Sequence, residues 1–276
     1  MERLPKFRNP PVVETVLGVQ FKPLPRFGNW HLGAFYAGLD REVWPEVTEA
    51  PPLRLQHETF GEQAIVEPGF RLEMVPQAPL RLKIRDRDGV RMIQVQNGRL
   101  HYNWLNWLTT EQERQYPTYP KVRPEFDEAW LRFREFLDHE RVGPVITDQW
   151  EVTYLNHIPK ETVWNTAEDW SFLFPQLLGA ADKLQAATLE NASGDWRFEI
   201  EPRRGRLHVE LRQGLKPGGD RREILVLKLT ARGPIEEGGL SLDDGLNLGR
   251  ETIVKSFKEI TSEKAHEYWE LIDGDG

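Results

Sequence analysis

The chain of 276 residues contains no cysteine. That absence removes disulfides, thiolate nucleophiles, cysteine-ligated zinc and iron–sulfur clusters in one step. No apolar run approaches the roughly 18 residues that a membrane-spanning helix needs. The opening MERLPKFRNPP is charged and proline-broken, with no apolar core of signal-peptide length. A soluble, cytoplasmic protein without membrane contact is the expectation. Reaction motifs are lacking too. There is no G-x-S-x-G elbow, and the seven histidines form no H-x-x-x-H or H-x-H pair. The stretches GPIEEGG and DDGLNLG lack the lysine and following Ser/Thr of a phosphate loop. Asp86-x-Asp88-Gly89 carries part of a calcium-loop pattern, but a hairpin turn explains it with fewer assumptions. No catalytic residue, metal or cofactor is assigned, and the sequence neither names a reaction nor excludes an enzyme.

What is present is acidic and aromatic. The formal net charge is −8, with 10 Trp and 13 Phe. The acidic balance disfavours a protein that coats nucleic acid and leaves only a local basic face for such a partner. The aromatic rings supply large apolar areas for a core.

Pro10 and Pro11 predict an extended entry into a strand over 12–21, with Glu14 inside it. A helical spacing runs from Asn29 to Val43 and stops at Pro45. Extended runs follow at 70–75, 80–85, 90–96 and 99–104. Asp88-Gly89 and Asn97-Gly98 read as two-residue hairpin turns. Pro124 is expected to open a helix with Phe126, Trp130, Phe133 and Leu137 on one face. The second part repeats this order: a strand at 150–158, a short helix at 169–178, strands at 184–189, 196–200, 207–211 and 224–229, then a helix carrying Leu246, Ile253, Phe257 and Ile260. The expected class is therefore α+β, with two β-α-β4-α halves, residues 1–147 and 148–276, forming antiparallel sheet with helices on one face. Glu14 falls on Glu151 when the halves are aligned.

The element order resembles the duplicated unit of the TATA-box-binding-protein fold and, less closely, the helix-grip folds that hold lipids or small ligands; such a likeness does not fix a function. Phe7-x-x-Pro10-Pro11-Val12-x-Glu14-x-Val16, the pairs Tyr116-Pro117 and Tyr119-Pro120, and Tyr154-x-Asn156-x-Ile158 resemble a sporadically distributed bacterial family, over most of the chain. The resemblance implies mobile genes and a role in a defence or toxin–antitoxin-like module. It brings no catalytic residues to carry over.

Four groups of residues are singled out. Glu14 and Glu151 could act as acid and base across a pseudo-twofold axis, but hydrogen bonding where each strand enters the sheet is the preferred explanation. Arg81, Lys83 and Arg85 form a basic stripe, read as solvation or edge protection before RNA or an acidic protein. In the second half, Trp196, Phe198 and Ile200 with Leu207, Val209 and Leu211 point one way, while Arg197, Glu199, Arg206, His208 and Glu210 point to an open, solvated face of mixed sign. That mixture argues against a DNA saddle. Trp104, Trp107, Tyr116 and Tyr119 could anchor a protein partner or cover the end of the core.

The leading expectation is a non-catalytic protein-binding accessory protein of a bacterial defence module, its anchors exposed among those four aromatics. The alternative is a small-ligand-binding protein with an apolar, helix-grip-like pocket, and nucleic-acid binding through the first-half sheet comes third. Trp130, Phe133, Phe198, Ile200, Val209 and Phe257 are expected in the core, with His208 and Glu210 in solvent.

Overall fold

A two-residue strand, β1 (Lys6–Phe7), precedes Pro10 and Pro11, whose fixed φ keeps the chain extended into β2 (Val12–Phe21). The computed structural model describes residues 4–60, 79–106, 116–179, 187–216, 221–236 and 239–272. The chain continues through α1 (Asn29–Ala37), β3 (Glu46–Ala50), β4 (Arg81–Arg85), β5 (Arg91–Gln96), β6 (Arg99–Leu105) and α2 (Tyr119–His139). Then come β7 (Thr147–Pro159), the single turns α3 (Trp170–Leu173) and α4 (Pro175–Leu178), β8 (Gly194–Ile200), β9 (Gly205–Leu215) and β10 (Glu223–Pro234). The chain closes with α5 (Leu242–Ile260), α6 (Glu263–Tyr268) and β11 (Leu271–Ile272). This is an α+β architecture, and no helix among the described residues is long and apolar enough to cross a membrane.

Nine strands make one antiparallel sheet in the order β3-β4-β5-β6-β2-β7-β10-β9-β8. The first strand of each half, β2 or β7, lies beside the last strand of its own half, β6 or β10. β2 and β7 then pair with each other from Val12 to Phe21, so one sheet crosses the boundary between the halves. Separately, β1 pairs with β11 and ties the two ends of the described chain together.

Several boundaries differ from the sequence reading. β3 was missed because EVTEA is an edge strand with four exposed residues, and its composition carries no apolar alternation. The expected strand at 70–75 lies outside the described residues. Of the one at 184–189, residues 180–186 lie outside, and 187–189 are not strand. Among the described residues the second half therefore has three strands between its short helices and α5 (Leu242–Ile260), where four were expected. The 169–178 helix is broken into two turns at Pro175, which cannot donate a hydrogen bond and clashes with the preceding turn. α2 starts at Tyr119, five residues before Pro124; the proline forfeits one bond near the start, while Tyr119 and Val122 are buried there.

The two long helices lie on the same face of the sheet. Leu17 stands between Tyr102 and Val152, and Val19 between Leu100 and Trp150, all pointing to the helix side. From α2, Trp130 and Phe133 bring their rings within 5.9 and 6.0 Å of Phe21. α5 is capped by Ser241, whose hydroxyl accepts the Asp244 N–H, and acids in its first turn complement the dipole. It packs so closely that a β-carbon on Gly245 would overlap the Trp150 ring. Trp130, Phe133, Ile200, Val209 and Phe257 are buried as expected. Phe198 is not: it is 46% exposed, because β8 is the outermost strand and α5 covers the sheet only as far as β9.

Candidate functional site

The face of the sheet opposite the helices is polar, and its own chain closes over it. Side by side across one row stand Gln94, His101, Gly18, Glu151, Arg232 and Arg206, on β5, β6, β2, β7, β10 and β9. Gly18 is required here: a β-carbon would sit 2.6 Å from Cδ2 of His101. Residues 53–58 cross this face as a strap. A chain running across strands cannot join their ladder, so side chains must satisfy its backbone. Three glutamines do so. Gln96 binds both backbone groups of Leu53 at 2.8 Å, and Gln20 both of Gln56 at 3.0 Å. Gln149 accepts from the Glu58 N–H at 3.0 Å and donates to the Gln56 carbonyl at 2.6 Å.

The strap ends in an ionic lock. The buried Glu58 carboxylate receives Arg206 and Arg232, and His208 Nε2 lies 2.7 Å from it. Burial opposes ionisation of Glu58, but the hydrogen bonds from His208 and Arg232 outweigh it and hold its pKa down to about 2. His208 and Glu210 are thus half-buried and paired, Glu210 with Lys228 at 2.9 Å, and not free in solvent as the sequence suggested. Nearer the centre, His101 Nε2 is 3.6 Å from Glu151 Oε1. Burial pushes the His101 pKa down to about 4, against the pull of Glu151, so the imidazole is neutral at pH 7. Burial also works against ionisation of Glu151, yet its neighbour His101, with the guanidinium charges of Arg99 and Arg232, leaves its pKa below the ordinary value.

Glu14 and Glu151 share this face without forming a pair. Glu14 stands opposite Leu155, four residues along β7 from Glu151, or about 13 Å at the usual strand rise. It ends a relay across four strands, in which Arg81 donates to Gln94, Gln94 to Asn103 and Asn103 to Glu14. Glu14 thus accepts a hydrogen bond from a neighbouring strand, the kind of contact the hydrogen-bonding explanation described. Arg81, Lys83 and Arg85 do share the face, but all three are half-buried and Arg81 is engaged by Gln94 at 2.8 Å, so they do not present an open basic track. A space of about 520 Å³ remains beside the strap, bounded by Arg99, His101, Glu151, Lys228 and Arg232. Ion pairs and amide ladders engage most of its polar groups, which marks it first as the scaffold that pins the strap.

The second cavity lies on the helix side, between β1, the start of α2, β7 and α5. It measures about 370 Å³, and Phe7, Val12, Leu229, Ile253 and Phe257 give it apolar walls. Tyr116, Tyr154 and Arg250 converge on it. The Tyr116 hydroxyl donates to that of Tyr154 at 2.9 Å, and Arg250 lines the same cavity. Burial pushes the Tyr154 pKa up to about 12 and that of Tyr116 well above the ordinary value, so both hydroxyls keep their protons at pH 7. The Arg250 guanidinium also lies over the Tyr119 ring, 5.1 Å from its centroid.

This placement corrects the anchor expectation. Trp104 and Tyr119 are only 4% and 7% exposed. Tyr116 is drawn inward by its bond to Tyr154 and by Trp104, whose ring is 5.3 Å away. Trp107 lies outside the described residues. The three described aromatics therefore build the interior, and two of them line a cavity. The strongest missed signal was Arg250, which falls four residues after Leu246 and three before Ile253, on the buried stripe of α5. A cation at such a position was legible as an anomaly. No family model, curated protein or solved structure matches the chain.

Proposed function

We propose that this is a non-catalytic cytoplasmic protein that binds a small, largely apolar ligand in the helix-side cavity. The observation that carries this reading is the cavity itself: several hundred Å³ of apolar space between sheet and helices, with two tyrosine hydroxyls and one guanidinium converging on it. Ligand sites typically combine apolar walls with a few placed polar groups in this way. Of the four aromatics expected to anchor a protein partner, Trp104 and Tyr119 are buried and Tyr116 is tied to Tyr154.

The test uses an uncharged dye, Nile red, whose emission rises in apolar surroundings. Saturable one-to-one binding is expected, and Val254→Trp, which places a large ring into the cavity wall, should weaken it at least about tenfold, the effect of roughly 1.4 kcal/mol of lost contact. Unchanged affinity in a folded Val254→Trp protein would place the dye elsewhere and contradict the reading.

A further inference from the structure

The helix-side cavity has an electrostatic character opposite to that of the protein around it. The chain carries a formal charge of −8, yet the described residues lining this cavity include Lys6, Arg8 and Arg250 and no Asp or Glu. Arg8 is paired with Glu270 at 2.8 Å. Arg250 has no carboxylate within ion-pair distance among the described residues; its guanidinium lies over the Tyr119 ring. Arg250 is half-buried, so its guanidinium is partly withdrawn from water without an acid partner among the described residues.

The hydroxyl pair points the same way. Tyr154 accepts a hydrogen bond from Tyr116, and Arg250, a group that can only donate, lines the same cavity. With the Tyr116 bond arriving at its oxygen, the Tyr154 proton remains to be donated. Tyr154 and the guanidinium protons thus form a donor cluster at one end of an apolar chamber, as a carboxylate would require.

From this charge pattern we infer that the ligand is an amphipathic acid: an apolar body seated against Phe7, Leu229, Ile253 and Phe257, with its carboxylate held by Arg250 and Tyr154. The inference rests on the proposed ligand-binding reading and specifies the class of ligand that reading leaves open. Selectivity follows from physics: an alcohol leaves the guanidinium without its countercharge, and an amine meets the like charge of Arg250.

The experiment compares three probes of equal chain length, decanoate, decanol and decylamine, by displacement of Nile red from the full chain at pH 7. Decanoate is expected to bind at least about tenfold more tightly than decanol, the usual scale of a hydrogen bond to a charged group, with decylamine weakest. Arg250→Gln should remove most of the preference for decanoate while leaving decanol unchanged. Tyr154→Phe should weaken decanoate roughly fivefold by removing one donor. Should Arg250→Gln fail to fold, the head-group order in the wild type and the Tyr154→Phe result decide the matter. Equal displacement by decanoate and decanol would overturn the acid assignment and leave apolar ligand binding intact. If Nile red binding itself is absent, both the reading and the inference fall.

Discussion

Replacing Phe133 by alanine is expected to lower the free energy of unfolding by about 3–5 kcal/mol, the usual cost of deleting a fully buried phenyl ring. Phe133 is 0% exposed. Its ring meets Phe27, Phe35 and Trp130 at 6.0, 5.2 and 6.2 Å, besides Phe21 from the centre of the sheet. It therefore joins α1, α2 and β2, and nothing nearby can refill its volume without moving an element. Urea unfolding at constant pH measures the effect, with the midpoint falling and the slope preserved. An unchanged midpoint would mean that α2 does not pack against β2 through this residue.

Acid should destabilise the protein before its carboxylates titrate. His101 is held at about 4 in the folded chain, against 6.5 for a free imidazole. Its folded pKa is depressed, so between these values the unfolded state binds the extra proton. The associated stability is complete above pH 6.5 and is lost as pH falls towards 4. A gap of this size corresponds to about 3 kcal/mol. His157, depressed to a similar value mainly by burial, adds in the same direction, but it is only half-buried and contributes less. Urea midpoints at pH 7, 5.5 and 4.5 should fall steadily, and His101→Gln should flatten the fall. A wild type equally stable at pH 7 and pH 4.5 would contradict the burial of a neutral imidazole beneath the strap.

Local structure was legible where chemistry is local. Gly89 and Gly98 adopt the left-handed conformations, φ +67° and +89°, that the Asp-Gly and Asn-Gly pairs announce. The apolar stripe of α5 has the 3.6-residue period that marked it, and the two-residue period placed Val209 in the core and His208 on the other face. What could not be read was contact between distant segments. Gln20, Gln96 and Gln149 look like ordinary solvated strand residues, and only the fold reveals that residues 53–58 return to meet them. Glu58, the hub of the ionic lock, stands in a stretch with no periodicity at all. The aromatic segment misled for a related reason. Composition marked Trp104, Tyr116 and Tyr119 as unusual, but their partners Tyr154, Asn247 and Arg250 are contributed by the other half of the chain.

Where an amphipathic acid binds can be measured by methyl NMR of Ile, Leu and Val side chains during a titration with decanoate. Leu229, Ile253, Val254 and Val12 line the helix-side cavity, whereas Val16 and Leu53 border the space beneath the strap, on the other face of the sheet. Saturable shifts at Leu229, Ile253, Val254 and Val12, with Val16 and Leu53 unmoved, are the predicted result. Shifts centred on Val16 and Leu53, or no shift at Ile253 with the ligand in excess, would contradict it.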